Sequence, residues 1–471
     1  MPEHRTERDA LGELRIPADC LHGIHTARAL HNFPLTGRPP HPMLIRAFGA
    51  VKLACAQANR QLGYLDGQTY PAITRACEEM IGGQLESHIM VDAMQGGAGT
   101  STNLNVNEVL ANRALQILGR QPGDYHVVDP LQHLNLHQST NDTYPTALKI
   151  AAIRLLREFE ERLTALQEAF QGKEREFADV VKIGRTELRD AVPTTMGRSM
   201  GAYAEAFARD RWRIYKSEER LRTVNLGGTA IGSGLGAPRE YIFKATDNLR
   251  KATGIGLARA ENLIDATQNH DLFAEVAGIL AAAAVNLKKC ANDLRWLASG
   301  PQAGLGELRL PPVQAGSSIM PHKFNPVIAE AAVQAATATI ADCQLVTQTC
   351  AMGELELNAF LPLLADRLLH ALELSSRTAD IFARLCVAGL QVHRQACARQ
   401  IAASSAVATA LISRLGYRVA AEIAGEAEDS GRTIRELVVE RKLLAAAEFD
   451  DLIAPEAVSR LGFTRPGLSP D

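Results

Sequence analysis

A segment rich in glycine, serine and proline, residues 316–326, carries the side chains best suited to chemistry. It reads GSSIMPHKFNP. Gly316 permits backbone angles that allow a tight turn, and the two prolines disfavour the interior of a helix. Lys323 and Asn325 lie two residues apart, and a cation beside a directional amide donor suits a carboxylate ligand. Composition alone favours a plain surface loop, so carboxylate binding needs further support.

Two more polar clusters precede predicted helices. The first, MQGGAGTSTNLNVNEVLANRALQILG, places three glycines before Thr100 and a helix that ends near Leu118. Glycines ahead of a helix start expose backbone N–H groups to an anion, but the spacing matches neither a Walker nor a dinucleotide loop. The second cluster, Ser139, Thr140, Asn141 and Asp142, precedes Pro145, which fits the first turn of a helix. Such residues are ordinary N-caps, yet four in succession exceed what capping needs.

The elements that position these clusters are predicted to be long helices. Apolar residues recur at three- and four-residue spacing, whereas residues 11–33 indicate extended or turning chain. The helical stretches are 42–85, from Thr146 onward, 194–222, 271–299, 327–348 and 358–387, with a packed turn at 225–238. Five of them are apolar over more than one stripe, which indicates a large bundle in an all-α fold whose apolar surfaces continue into other subunits. Thr433 and Glu436 predict a capping box in a small C-terminal unit.

Composition excludes several classes of protein. The 50 Lys and Arg residues nearly balance the 53 Asp and Glu residues, so no basic field indicates a nucleic-acid partner. The charged N-terminus is unlike a secretory signal, and no apolar run reaches the roughly 18 residues of a membrane span. The eight cysteines are scattered singly, which disfavours a zinc site and predicts a reduced, cytoplasmic protein.

Five segments together resemble the aspartase/fumarase superfamily. They are QGGAGTSTNLNVNEVLANRA, HQSTNDTYPT, IGRTELRDAVP, LGGTAIGSGL and GSSIMPHKFNP. The resemblance implies an almost entirely helical fold in three domains, residues 1–141, 142–390 and 391–471. The central domains of four chains would form a twenty-helix homotetramer core, with each active site assembled from three subunits. Within the superfamily the chain is most similar to the aspartases, which eliminate ammonia from L-aspartate to give fumarate.

The resemblance also implies a role for each polar residue. Ser317 corresponds to the catalytic base, and Lys323 and Asn325 would hold the substrate carboxylate remote from the leaving proton. Thr100 and Asn141 would contact the amino group. The donors to the other carboxylate would be Ser139, Thr140, Thr186 and Ser318. No metal or organic cofactor is required for this step, although an activating divalent cation such as Mg²⁺ at a separate site is expected.

The sequence departs from the family pattern in three places, of which the first bears on the substrate. Glu187 stands where fumarases and some aspartases have His, Gly236 stands where Asn is usual, and PHKFNP replaces the PGKVNP common in aspartases. The first disfavours fumarate hydratase, the leading alternative. A lyase for a modified aspartate is the next alternative. A non-enzymatic relative, like the lens crystallins of this superfamily, would predict damage to residues 316–326, but Ser317, Lys323 and Asn325 are all present.

Overall fold

The protein is predominantly helical, with only short strands, in a computed structural model that describes residues 3–463. The helices are α1 (Ile24–Asn32), α2 (Pro42–Gln61), α3 (Tyr70–Ile81), α4 (Thr100–Ile117), α5 (Thr140–Glu176), α6 (Met196–Leu221), α7 (Arg239–Thr253), α8 (Leu263–Gln268), α9 (Asp271–Leu297), α10 (Val327–Cys350), α11 (Leu361–Phe382), α12 (Arg394–Ala403), α13 (Ile412–Ser430), α14 (Ile434–Glu440), α15 (Ala446–Leu452) and α16 (Pro455–Val458). One π-helical turn, Ala383–Val387, follows α11, and short 3₁₀ segments occur at Glu86–His88 and Ser405–Leu411. The all-α prediction is confirmed.

Short strands pair in twos. They are β1 (His4–Asp9), β2 (Gly12–Pro17), β3 (Val181–Thr186), β4 (Arg189–Thr195), β5 (Thr223–Val224), β6 (Ala258–Arg259), β7 (Leu308–Arg309) and β8 (Gln391–Val392). Three pairs, β1–β2, β3–β4 and β7–β8, are antiparallel, and β5–β6 is parallel. None of these pairs joins another to form a wider sheet. The strands therefore form isolated two-stranded pairs in the segments between helices.

The chain divides into two compact units. The first comprises Met1–Glu160, Trp212–Ala284 and Thr337–Ser376, and the second comprises Glu161–Arg211, Val285–Ala336 and Arg377–Asp471. Every boundary falls inside one of the five long helices α5, α6, α9, α10 and α11. The three domains expected at 1–141, 142–390 and 391–471 stay a prediction.

The first unit has a buried helix at its centre. Helix α2 packs against both α3 and α7, and most of its residues from Leu44 to Asn59 are buried. A helix that is apolar around its whole circumference is stable only when it is covered on all sides. Its one buried cation, Lys52, lies near the polar clusters described below.

The second unit has an apolar core in its C-terminal part. Ile183 of β3 packs there with Leu411, Ile423 and Leu437. The predicted capping box is confirmed, because the Thr433 hydroxyl accepts from the Glu436 backbone N–H while the Glu436 carboxylate accepts from the Thr433 N–H. This box fixes the start of α14 against the core.

Helix α1 shows that one local prediction was wrong. Residues 11–33 were expected to be extended or turning, yet residues 24–32 are helical. The backbone N–H groups of residues 23, 25 and 26 donate to the Glu108 carboxylate at 2.7, 2.8 and 3.2 Å, and that of Ile24 donates to Glu7 at 2.8 Å. Carboxylates stabilise a helix N-terminus. Because Glu108 comes from distant sequence, the local pattern could not reveal this start.

Helix α5 begins earlier than predicted. It starts at Thr140, so Pro145 lies inside the helix and not in its first turn. Proline lacks the N–H that would donate to the carbonyl four residues earlier, at Asn141. The Asn225 side-chain amide donates to that carbonyl at 3.0 Å instead. A tertiary contact therefore allows one extra turn of helix before the proline.

A helix that crosses a bilayer must be long and largely apolar. None within residues 3–463 combines the length and the apolar composition needed to cross a bilayer.

Candidate active site

The serine loop, residues 316–326, closes on itself. The Asn325 side-chain amide donates to the Gly316 carbonyl at 2.6 Å. A Cβ at position 316 would lie 2.1 Å from the Lys323 carbonyl oxygen, so only glycine fits this crossing. Gly316 is therefore required by the close approach of two backbone segments and not, as its sequence suggested, by unusual backbone angles, because its φ is not in the left-handed region.

Ser317 receives two hydrogen bonds from the loop backbone. The N–H groups of Ile319 and Met320 donate to its Oγ at 3.2 and 2.9 Å. Donors aimed at one oxygen favour negative charge on that oxygen. The loop therefore supplies what a serine needs in order to lose its proton, which is stabilisation of the resulting alkoxide.

The other three candidate ligands of the loop, Ser318, Lys323 and Asn325, differ in their surroundings. Ser318 and Lys323 are exposed, and the part of the chain that the structure describes offers the Lys323 ammonium no hydrogen bond or ion pair. Asn325 uses one of its two amide hydrogens to close the loop and retains one for a ligand. Lys323 and Asn325 can thus still act on a carboxylate, with Asn325 also holding the loop together.

Thr186 and Glu187 lie at the tip of the β3–β4 hairpin. Thr186 pairs with Arg189, which leaves Glu187 and Leu188 as the two turn residues. Both have positive φ, 54° and 62°, as a two-residue type I′ turn requires. Glycine and asparagine usually occupy such positions, so the turn is strained, and strain of this kind is concentrated at functional sites. Both side chains of the pair 186–187 are exposed.

Ser139, Thr140 and Asn141 form the start of α5. The Ser139 hydroxyl accepts from the Asn141 backbone N–H at 3.2 Å. The Asn103 amide of α4 donates to the Thr140 hydroxyl at 3.1 Å, and the Asn141 amide donates to the Ala230 carbonyl at 2.7 Å. The first unit thus holds these three residues beside α4, at a helix N-terminus where anions bind readily.

Thr100 begins α4, directly after the glycine-rich loop. Its side chain is exposed, and its hydroxyl donates to the Gly97 carbonyl at 2.7 Å. Gly99 has a φ of 92°, and a Cβ there would lie 2.2 Å from the Tyr144 ring. The predicted loop-to-helix junction is confirmed, and the glycine at 99 serves packing against α5.

Asp142 belongs to the polar cluster noted in the sequence, which assigned this residue no role of its own. It is fully buried, and its carboxylate accepts from the backbone N–H groups of residues 139, 227 and 229 at 3.1, 3.1 and 3.0 Å. Burial raises the pKa of Asp142 to about 7, while these donors and the charge of Lys52 oppose the rise. Burial likewise lowers the pKa of Lys52 to about 8. Asp142 therefore ties the start of α5 to the glycine-rich turn at 225–238.

The candidate residues are distributed over both compact units. The first holds Thr100 with residues 139–141, and the second holds the 186–187 pair with the serine loop. Within the described residues of the second unit, no hydrogen bond or ion pair joins the hairpin tip to the serine loop. Arg28 is bound by Asp9 through two contacts of 2.7 Å, which gives this arginine a structural role.

A metal site in a protein requires several His, Cys, Asp or Glu side chains close together. Residues 3–463 contain no group of three or more His, Cys, Asp and Glu side chains placed to hold a metal ion.

Comparison with known proteins identifies the family. A family model described as lyase matches residues 12–340, and one described as fumarase C C-terminus matches residues 407–460. The chain is 41% identical over 465 residues to the aspartate ammonia-lyase of a Bacillus species. The aligned region covers 99% of this chain and 98% of the relative.

Two solved structures have the same fold. A fumarate lyase:delta crystallin from Brucella melitensis, bound to cobalt, is 44% identical with a TM-score of 0.93, over 97% of this chain and 100% of that one. A class II fumarase from Schistosoma mansoni is 30% identical with a TM-score of 0.90, over 96% and 98%. The chain therefore belongs to the aspartase/fumarase superfamily of lyases.

Proposed function

We propose that the protein is an aspartate ammonia-lyase, a carbon–nitrogen lyase that converts L-aspartate reversibly to fumarate and ammonia. The observation that carries the proposal is the similarity to the Bacillus aspartate ammonia-lyase over nearly the full length of both chains. The backbone donors around the Ser317 hydroxyl support it independently.

Ser317 is the proposed base. It removes the proton from the carbon next to one substrate carboxylate, which then carries two negative charges as an aci-carboxylate. A free serine hydroxyl is too weakly acidic to form an alkoxide readily. The N–H groups of Ile319 and Met320 stabilise that alkoxide, and each well-placed donor of this type contributes roughly 3–4 kcal/mol.

The remaining residues bind the substrate. Ser139, Thr140, Thr186 and Ser318 donate to the carboxylate that gains charge. Lys323 and the free amide hydrogen of Asn325 hold the second carboxylate, and Thr100 and Asn141 contact the amino group. The six residues assigned to the carboxylates are neutral donors or a cation, as a dicarboxylate requires, whereas Thr100 and Asn141 offer side-chain oxygens that can accept from an ammonium.

Glu187 is the residue proposed to select the substrate. Its carboxylate attracts the ammonium of aspartate, whereas the hydroxyl of malate gains much less from an anion. The same charge opposes deprotonation of the ammonium, so Glu187 aids binding more than departure of the amine. The second candidate function, fumarate hydratase, is favoured by the 30% identity to the Schistosoma fumarase but opposed by the glutamate.

The active form is proposed to be a homotetramer with each site shared between three subunits. Large apolar side chains lie exposed along two of the long helices of a single chain: Trp212 and Tyr215 of α6, and Val285 and Trp296 of α9. Exposed apolar surface of this kind is typical of an interface.

Ion dependence and location stay predictions. An activating divalent cation such as Mg²⁺ has no identified ligand set within residues 3–463, and no step proposed here involves one. A cytoplasmic location is expected from the sequence alone.

The test is turnover of L-aspartate and L-malate in parallel, followed by the ultraviolet absorbance of fumarate. We expect aspartate to be favoured by at least ~100-fold in kcat/KM, or about 2.7 kcal/mol in transition-state binding. Glu187→Gln should raise the KM for aspartate without creating malate activity. Comparable kcat/KM values for both substrates would favour the hydratase, and turnover of neither would favour a modified substrate or the non-enzymatic alternative.

A further inference from the structure

Glu307 contacts two cations of β3, the strand that ends at Thr186, and forms a buried cluster of charges with them. Glu307 is fully buried. Its carboxylate lies 2.7 Å from an Arg185 guanidinium nitrogen and 3.2 Å from the Lys182 ammonium. Neither carboxylate oxygen receives an aligned hydrogen bond from the described residues, so the attraction is chiefly Coulombic. A buried carboxylate is stable as an ion only beside such cations.

The register of the hairpin explains how two cations of β3 reach one carboxylate. Side chains alternate between the two faces of a regular strand, so Lys182 and Arg185 would point to opposite sides. The pairing is irregular here, since Gly184 lies between the pairs Ile183–Pro193 and Arg185–Asp190 and faces two residues of β4. Such a bulge increases the local twist and re-aims side chains.

Glycine is the residue that this bulge requires. A Cβ at position 184 would lie 2.7 Å from the Val192 carbonyl oxygen. Ile183 meanwhile faces the apolar core of the second unit. The bulge therefore separates a face of β3 that packs in the core from the two cations that bind Glu307.

Glu307 itself is held firmly by its backbone. Its N–H donates to the Leu297 carbonyl at 2.9 Å, and its carbonyl accepts from the His393 N–H at 2.7 Å. The next two residues form β7, paired with β8. Seven residues after β7 the chain reaches Gly316, so Glu307 also anchors the segment that leads into the serine loop.

Gln400 of α12 completes the connection. Its amide oxygen accepts from Arg185 at 3.0 Å, and its amide nitrogen donates to the Leu305 carbonyl at 2.6 Å. Arg185, the residue before Thr186, thus contacts both Glu307 and Gln400. Each of these two residues is itself held by hydrogen bonds to the backbone of other segments. The tip beyond it, residues 186–189, has exposed side chains at all four positions.

We propose that Glu307 is a positioning residue for the reaction. Through Arg185 and Lys182 it fixes the end of β3, so that the tip presents Thr186 and Glu187 to the substrate in a single orientation. This role rests on the proposed function, since Thr186 and Glu187 are assigned there. Small displacements of substrate-positioning groups can cost about 100-fold in rate, so a fixed tip has a direct effect on turnover.

The test uses two conservative variants, Arg185→Lys and Glu307→Asp, which retain the charges and change only reach and shape. We expect both to keep the circular dichroism and oligomer size of the unmutated protein while kcat/KM for L-aspartate falls at least ~10-fold. Arg435→Lys is the matched control, because Arg435 forms a similar two-contact pair with Asp450 on the surface of the same unit. The control should retain kcat/KM within about twofold.

Two further measurements separate positioning from simple stability. In a double-mutant cycle, Glu187→Gln should raise the KM of the unmutated protein but have little further effect in Arg185→Lys, because the tip is already displaced. Hydrogen exchange of residues 186–190 should be at least ~10-fold faster in Arg185→Lys than in the unmutated protein. Unchanged exchange at the tip, or kcat/KM within twofold of normal, would overturn the proposal.

The exchange measurement also distinguishes the two possible failures. If the unmutated protein does not turn over L-aspartate, the proposed function fails. In that case the exchange rates of Arg185→Lys and Glu307→Asp alone decide whether Glu307 fixes the tip.

Discussion

Ser317 lies in a loop whose backbone is arranged around its hydroxyl oxygen. The two donors to Oγ come from the residues two and three positions later, and this geometry depends on the crossing that Gly316 and Asn325 make possible. One short segment therefore combines the proposed base with the groups that stabilise its charged form. The sequence made Asn325 a candidate ligand, but only the folded loop reveals that Asn325 also has a structural contact.

Ser317→Ala tests the assignment of the base. We expect it to abolish deamination while leaving helix content and oligomer size unchanged, because the hydroxyl is needed for proton transfer and not for packing. Fumarate formation measured with L-aspartate at saturation gives the comparison. Turnover above about a tenth of the unmutated rate, a barrier change below ~1.4 kcal/mol, would exclude Ser317 as the base. Ser430→Ala, which removes a hydroxyl that donates to the Glu426 carbonyl on the exposed end of α13, is the control.

The residues that sequence reasoning missed are those that act through long-range contacts. Asp142 was seen as part of a polar run, but its three backbone donors come partly from residues 227 and 229. Glu307 lies in a segment with no suggestive pattern and becomes notable only beside Lys182 and Arg185. A single sequence does not reveal contacts between residues more than 80 positions apart, whereas runs of local polar residues are visible directly.

At the level of elements, the long helices were predicted well because their apolar periodicity is strong. The predicted helix at 271–299 corresponds to Asp271–Leu297, and that at 327–348 corresponds to Val327–Cys350. The errors occur at helix starts. Helix α1 begins where distant carboxylates accept its N–H groups, and α5 begins before its proline because Asn225 replaces a missing donor. Tertiary contacts decide these boundaries.

The residue preceding α9 gives an expectation about acid stability. His270 is buried, and neither ring nitrogen has a hydrogen-bond partner within the described residues. Burial, with a smaller effect from the charge of Lys149, lowers the pKa of His270 from 6.5 to about 3. Between those two values the unfolded chain binds a proton that the folded chain does not. The contribution of His270 to the free energy of unfolding should therefore fall as the pH drops below about 6.5, whereas Asp142, whose pKa burial raises to about 7, contributes in the opposite direction.

The measurement is the urea midpoint at pH 7 and at pH 5. His270 should make unfolding easier by about 2 kcal/mol at pH 5 relative to pH 7. His270→Phe removes the titrating group and should reduce that difference, while His31→Asn, a change at an exposed histidine of α1, should leave it intact. Equal pH sensitivity in the unmutated protein and His270→Phe would show that His270 does not govern this response.

At the scale of the whole molecule, the polar clusters are divided between the two compact units, and a site shared between chains stays a proposal. The glycine-rich loop with the start of α5 lies in one compact unit, and the hairpin tip with the serine loop lies in the other. Apolar side chains such as Trp212 and Trp296 remain exposed on α6 and α9 of the single chain. Sequence could indicate an interface from the wide apolar faces, but the number of subunits came only from family resemblance.

Complementation between inactive variants tests the shared site. Thr186→Ala and Ser317→Ala should each be inactive, since each removes a group proposed to act on the same substrate carboxylate or carbon. If a site takes Thr186 from one chain and Ser317 from another, random mixing of the two variants leaves about a quarter of sites with both residues intact. Refolded mixtures should then recover that share of normal activity.

The matched control mixes Ser317→Ala with Lys323→Ala. Both changes lie in one serine loop, which each site would receive from a single chain, so no site in this mixture contains two intact residues. Activity should return only in the first mixture and only after the subunits have exchanged, as checked by the mass of differentially labelled oligomers. Mixed oligomers of Thr186→Ala and Ser317→Ala that remain inactive would mean that one chain supplies both residues, and the shared-site proposal would be wrong.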